Sequence, residues 1–392
     1  MRRACRWRIC QHRRQRPIIP RPRFNWGGEP YAGAAPRKIP WSRQSAPSDF
    51  GGHRETAVSY SDTGAMSQPA ELADAAANAP GPSHGFADEL FGFDVPPKMR
   101  EFARFPLRVA GPDTPPINPN FLFRKDHVKI GQAWISGLFD NLMLSGPTGA
   151  GKTSFIEQFA ARLGWGVIRV ACSKSLELQE IVGRVSINSD GSTGWVDGPA
   201  IRAMKEGAIL LLDEINFLDP GQVGGMNTIL DGGSFLIPET GERVLPHSDF
   251  RVAATGNALD GENASSYRGI QRMNDALLDR FRGGIEVGYL SKEEETRILV
   301  ADAPRLHPSV VKLMVELAET LRKSYESGDL SVVLSTRIVV AWGTLLQSFS
   351  TVLDGQRENL LATLRSSFLF RVGRADRAAI EAVLVGVLKR SS

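Results

Sequence analysis

Residues Gly146, Pro147, Thr148, Gly149, Ala150, Gly151, Lys152 and Thr153 fit the spacing G-x-x-x-x-G-K-[ST], and Ser154 follows directly. A loop of this kind turns backbone N–H groups inward onto phosphate oxygens, and a β-carbon at its glycines would block that approach. In this reading Lys152 reaches the β- and γ-phosphates of a nucleoside triphosphate and the Thr153 hydroxyl holds Mg²⁺. A second group, Asp213 and Glu214, closes the apolar run AILLLDE. Asp213 is the expected second metal residue, and Glu214 is placed to activate an attacking water. Asn257, closing RVAATGN, is the polar group expected beside the γ-phosphate or that water. Arginines complete the set, because phosphoryl transfer develops charge that a guanidinium stabilises. Arg280 and Arg282 lie in ALLDRFRGG, Arg268 and Arg272 lie shortly upstream, and Arg337 is a separate candidate further on. Taken singly, the acidic pair reads as a solvated loop entry, the asparagine as a turn residue and each arginine as a surface charge. Their order along one chain is what joins them.

Such groups need a parallel sheet to bring them together. NLMLSG is a buried strand running into the loop, and TSFIEQFAARL is a helix leaving it, with Phe155, Ile156, Phe159, Ala160 and Leu163 on one face. WGVIRVAC, AILLLDEIN, DFRVAATGN and GGIEVGYL supply the other strands, with LELQEIVG and PAIRAMKEG as helices, the second stopping at Gly207. Two inserts, RVSINSDGSTGWVDG and GSFLIPETGERVLPHSDF, carry turn residues at their centres and read as hairpins. After residue 290 the pattern turns helical, opening on a capping box of Ser291 and Glu294. The helices expected there are SVVKLMVELAETLRKSY, STRIVVAWGTLLQSF, RENLLATLRSSFLF and DRAAIEAVLVGVL. The expected organisation is a basic tail over 1–65, a linker with a small cap segment over 66–117, an α/β core over 118–290 and a helical block over 291–392.

Charge is unevenly spread. Residues 1–65 hold 13 basic and 4 acidic residues, whereas the remainder holds 34 and 39, so the alkaline pI belongs to the tail. That tail reads as a nucleic-acid-binding arm, as a transit peptide, or as upstream sequence ahead of a start at Met66; the last weighs most. Cys5 and Cys10 lie in it, and Cys172 stands alone at the end of a strand, so neither a zinc site nor a disulfide framework is expected. No apolar run is long enough for a membrane span. A reducing, cytoplasmic setting follows.

The ordered set GPTGAGKTS, AILLLDEIN, VAATGN, NDALLDRF and LSTR resembles the AAA+ ATPases, in particular their MoxR-type branch. Within that branch FGFD, IEQFAARLGW, IPETGERVLPHSDFRVAATGN and SYRGIQRMNDALLDRF resemble the ATPase subunits of aerobic cobaltochelatases. Two positions, Ile215 and Phe281, resemble instead the relatives that remodel other metalloenzymes. The resemblance implies an αβα sandwich with a helical lid, ATP and Mg²⁺ as cofactors, and a homo-oligomeric ring, a hexamer in such families. It gives Asn257 the sensor-1 role, Arg280 the arginine-finger role across a subunit boundary and Arg337 the sensor-2 role. It also implies work on a partner: a separate von Willebrand A domain protein, and a large chelatase subunit if cobalt is involved. The metal pattern D-x-S-x-S of such a partner fails at the last position of DGSTG, residues 190–194. No residue identifies the reader of adenine over guanine.

The rival reading is a nucleic-acid motor or restriction-type NTPase anchored by the basic tail. Threading DNA calls for basic loops. The second hairpin instead carries Asp231, Glu239, Glu242 and Asp249 against Arg243, so nucleic acid is not the expected partner. A nucleotide-binding scaffold without turnover is the third reading, and the presence of both Lys152 and Glu214 gives no reason to expect it.

Overall fold

The computed structural model describes residues 84–390 apart from 188 and 258–274. The unit Met1–Pro69, with Cys5, Cys10 and Met66, lies outside the described residues, as do Arg268 and Arg272. The chain enters through β1 (His84–Phe86), α1 (Ala87–Phe91) and β2 (Arg104–Pro106), with β1 and β2 paired antiparallel. Phe91 stacks on Phe159 at 5.4 Å, and Phe105 meets Phe91 edge-on at 5.0 Å, so the segment shares the main core.

The core continues with α2 (Lys125–Ile135), β3 (Asn141–Ser145), α3 (Lys152–Leu163), β4 (Val167–Ala171) and α4 (Leu178–Val182). The first hairpin is β5 (Gly183–Ile187) with β6 (Thr193–Asp197), followed by α5 (Pro199–Glu206) and β7 (Ile209–Asp213). Short helices α6 (Pro220–Gly225) and α7 (Asn227–Leu230) precede the second hairpin, β8 (Phe235–Leu236) with β9 (Arg243–Val244). Strand β10 (Arg251–Gly256), α8 (Asp275–Leu278) and β11 (Gly283–Glu286) complete the sandwich. Lys205 of α5 bridges Asp197 at 2.8 Å and Glu242 at 3.0 Å, tying one hairpin to the other.

Five parallel strands lie in the order β11–β3–β10–β7–β4. Their apolar continuity has a direct cause: both faces of the sheet are covered. With a period of two, Leu142 and Leu144 face the aromatic layer of α2 and α3, while Met143 faces the layer of α5. Because β10 separates β3 from β7, Asn257, the residue that follows β10, falls between the glycine loop and the acidic pair. The αβα sandwich is the expected fold.

Beyond it come α9 (Lys292–Asp302), α10 (Pro308–Glu326), α11 (Thr336–Phe349), α12 (Leu353–Ser367) and α13 (Arg374–Arg390). They pack around Leu317, Trp342, Leu346 and Leu360, all fully buried. The capping box stands as expected: the Glu294 N–H donates to Ser291 Oγ at 3.2 Å and the Ser291 N–H donates to Glu294 Oε2 at 2.8 Å. Helix α12 begins at Leu353, four residues ahead of Arg357 where the pattern placed it. Its first turn hides Gln356, fully buried, which accepts from the His307 N–H at 2.9 Å and donates to the Arg305 carbonyl at 2.8 Å. A buried amide with both ends satisfied costs little, yet it breaks the apolar period. Among the described residues no helix is long and apolar enough to cross a membrane.

Candidate nucleotide site

The loop between β3 and α3 sits at the carboxyl edge of the sheet, ending on the N-terminus of α3. Gly146 has φ +142°, and a β-carbon there would lie 2.1 Å from the Val287 carbonyl oxygen. Gly149 has φ +74°, and its β-carbon would lie 2.6 Å from Ser335 Oγ, at the entry to α11. Both positions therefore exclude side chains, one for the strand beside it and one for the helical block above it.

Lys152 is buried, and its ammonium donates to the Gly146 carbonyl at 2.7 Å, the Pro147 carbonyl at 3.0 Å and Asn257 Oδ1 at 3.2 Å. Burial pushes it down to about 8, against the pull of Glu214 and Asp213. Thr148 Oγ1 also donates to Asn257 Oδ1, at 3.3 Å. The Thr153 hydroxyl donates to Asp213 Oδ1 at 2.7 Å. Burial pushes the Asp213 carboxyl up, but hydrogen bonds from Thr255, Thr153 and Arg169, with the guanidinium charge, outweigh it and hold it below the usual range.

Glu214 is the one non-glycine residue with positive φ among the described residues, at φ 58° and ψ 45°. That left-handed conformation costs about 1–2 kcal/mol and persists where neighbours over-determine it. Here its N–H donates to Thr255 Oγ1 at 2.9 Å, and its carbonyl accepts from the Phe217 N–H at 2.9 Å. The turn leaves Glu214 exposed directly after the buried end of β7.

Arg337 joins from the helical block. With Gly149, Gly151, Ser154, Val287 and Asp302 it lines a cleft of about 310 Å³ beside the loop. The structure thus brings Gly146–Ser154, Asp213, Glu214, Asn257 and Arg337 together. It does not bring Arg280 to them. Arg280 precedes β11, its Nε 3.4 Å from Asp231 Oδ1, and lines another cleft with Asp140, Asn141, Asp279 and Arg282 at the opposite edge of the sheet. Cys172, under the site, is buried and pushed up to about 12 by burial and by the charges of Asp213 and Glu214, so it is an inert thiol.

Three neighbours of the site escape the sequence patterns. Thr255 is fully buried; its hydroxyl donates to Asp213 Oδ1 at 2.5 Å while accepting from Glu214, so a single oxygen fixes both acidic residues. Asn216 Oδ1 accepts the Asn257 N–H at 3.2 Å. Arg169 donates to Asp213 Oδ2 from within an otherwise apolar strand. Signals for two of them exist: Thr255 shares a strand face with Asn257, and a charge inside WGVIRVAC asks for a partner. Thr255→Val keeps the shape and strands two polar partners. We expect a loss of about 1–3 kcal/mol in a urea titration, largely restored by Thr255→Ser; an unchanged midpoint would remove Thr255 from this role.

A glycine loop after β3, with a polar residue and then an acidic pair at the ends of the two strands beside it, β10 and β7, defines a P-loop nucleotide-binding protein with a helical lid. Residues 141–281 match the AAA domain family (dynein-related subfamily), and residues 295–385 match the CbbQ/NirQ/NorQ C-terminal family. The chain is 28% identical over 303 residues to the aerobic cobaltochelatase subunit CobS of Sinorhizobium sp, covering 74% of this chain and 86% of that one. It is 30% identical over 248 residues to the denitrification regulatory protein NirQ of Stutzerimonas stutzeri, covering 63% and 84%. It is 31% identical over 211 residues to NirQ of Pseudomonas aeruginosa, covering 53% and 76%. The chain belongs to the AAA+ ATPases, in their MoxR-type branch, and resembles CobS.

Proposed function

We propose that the chain binds ATP with Mg²⁺, hydrolyses it, and uses the hydrolysis to remodel or activate a partner protein. The observation that carries this reading is the pairing, at the end of the sheet, of the neighbouring residues Lys152 with Asn257 and Thr153 with Asp213, each through one hydrogen bond. Residues 146–154 cradle the phosphates through backbone N–H groups, and Lys152 gives up its bonds to loop carbonyls for phosphate oxygens. Phosphate charge beside the buried ammonium favours its protonated form, offsetting the effect of burial. Thr153 and Asp213 would hold the metal: both are hard oxygen donors, which is the chemistry Mg²⁺ selects. Bound there, Mg²⁺ would offset the charge of the triphosphate. Glu214 takes the proton of the attacking water, Asn257 orients that water or the γ-phosphate, and Arg337 supplies positive charge from the lid. Arg280 acts in the site of an adjoining copy, within a ring of six.

Resemblance also guides the partner. The similarity to an aerobic cobaltochelatase subunit supports a cobalt-chelatase complex as the target; the resemblance of the motifs adds a role in cobalamin synthesis, a large chelatase subunit, a separate von Willebrand A domain protein and a cytoplasmic setting. A second reading, a partner of the kind served by NirQ, draws on the match over 295–385 together with Ile215 and Phe281. Calorimetric titration of the full chain with ATP and Mg²⁺ tests the common part. We expect saturable binding, weakened about 10- to 100-fold in Lys152→Ala, the worth of one or two charge-assisted hydrogen bonds. Absence of binding to ATP and to GTP by the wild-type chain would sink the reading.

A further inference from the structure

The lid holds a buried charge that the chemistry above does not use. Arg322 of α10 has only 8% of its side chain exposed, and its partner Glu295 of α9 only 2%. The guanidinium donates twice to that carboxylate, at 3.0 and 2.6 Å. A buried pair of this kind seldom adds net stability over an apolar pair, so its geometry asks what else it does. Arg322 Nε donates to the Leu334 carbonyl at 2.9 Å, three residues ahead of Arg337. The flat face of the same guanidinium lies 4.5 Å from the ring centre of Tyr289. Tyr289 in turn donates its hydroxyl to the Thr148 carbonyl at 2.9 Å, inside the phosphate loop. The main chain of Tyr289 is pinned as well, its carbonyl accepting from Arg124 at 2.8 Å.

The peptide joining Thr148 to Gly149 is planar and trans, so its C=O and N–H point in opposite directions. A hydroxyl that holds the Thr148 carbonyl outward therefore turns the Gly149 N–H the other way, into the cradle. We infer that Tyr289 and Arg322 are positioning residues for nucleotide: Tyr289 sets a phosphate-binding amide, and Arg322 locks Tyr289 to the segment that carries Arg337. The lid and the loop then move as one, and lid displacement loosens the grip on phosphate. This inference rests on the nucleotide-binding reading above.

The test compares ATP dissociation constants of the full chain, its Tyr289→Phe and Arg322→Lys variants and the two combined, alongside thermal melting. Tyr289→Phe keeps the ring and removes an exposed hydroxyl, so the fold is not at stake. Arg322→Lys keeps a charge for Glu295 but loses the planar stack and the fork that reaches Leu334. Each change is expected to weaken ATP binding about three- to tenfold, the worth of one hydrogen bond. The combined variant is expected to lose no more than either alone, since both act through one contact. A merely structural role would lower melting and leave affinity alone. Tyr289→Phe binding ATP within twofold of wild type, or losses that multiply in the combined variant, would overturn the inference. If the wild-type chain itself fails to bind, the fault lies with the nucleotide reading instead.

Discussion

Glu214→Gln is expected to hold ATP as tightly as the wild-type chain and to hydrolyse it about 10²–10⁴-fold more slowly, the range a positioned general base contributes. The substitution leaves the architecture untouched. The Glu214 N–H still donates to Thr255, and the Phe217 N–H still donates to the residue 214 carbonyl, because both bonds are to main chain. Glutamine tolerates φ 58° no worse than glutamate does, so the turn keeps its shape. Asp213, Thr153 and Lys152 do not depend on the Glu214 side chain for any hydrogen bond. What is lost is a base, since an amide cannot accept the proton of an attacking water. The left-handed backbone adds weight to this assignment: strain kept at one acidic residue is a feature of sites where aim matters more than stability. Rapid-quench hydrolysis under single-turnover conditions, with retained nucleotide measured on the same sample, checks both halves. Near-normal turnover would take Glu214 out of catalysis, and lost binding would make it a structural residue.

How much of this could be read beforehand depends on the kind of signal each element carries. Strands β3, β7 and β10 announce themselves as apolar runs closed by polar residues, because burial on both faces demands the first and the site demands the second. The site groups on those strand ends follow from spacing. Helix α2 is harder to see, since Gly131 interrupts it. A β-carbon there would come within 2.9 Å of the Phe159 ring, so close packing chose a residue that helix propensity opposes. The segment before residue 118 hides its role for another reason: Phe91 and Phe105 gain meaning only once they meet Phe159. Thr255, Arg169 and Tyr289 hide what they bind for the same cause, although a strand face marks the first and a lone charge the second. Each acts through a partner 42, 44 or 141 residues away, and no local period encodes such a distance.

Arg280→Ala is expected to bind ATP normally yet lose about 10³–10⁵ in turnover, and to recover activity when mixed with Lys152→Ala. The reason is where Arg280 stands. Strand β11 pairs with β3 from Gly283 opposite Leu142 to Glu286 opposite Ser145, and the loop begins only after Ser145. At about 3.3 Å per residue those strands hold Arg280 more than about 10 Å from the loop, at the other edge of the sheet. It cannot reach the phosphates of its own chain, so a catalytic role requires a second copy presenting that edge. In a head-to-tail ring every interface joins one loop to one neighbouring arginine. An Arg280→Ala subunit still offers an intact loop, and a Lys152→Ala subunit still offers an intact arginine. Random mixing in equal amounts therefore makes about a quarter of interfaces complete, and turnover should return to about that fraction if interfaces act independently. Rings shown by native mass spectrometry to contain both variants, yet still inactive, would argue that the site is not shared. Near-normal turnover by Arg280→Ala alone would argue that the stabilising cation is another residue, with Arg282 in the same cleft the next to replace.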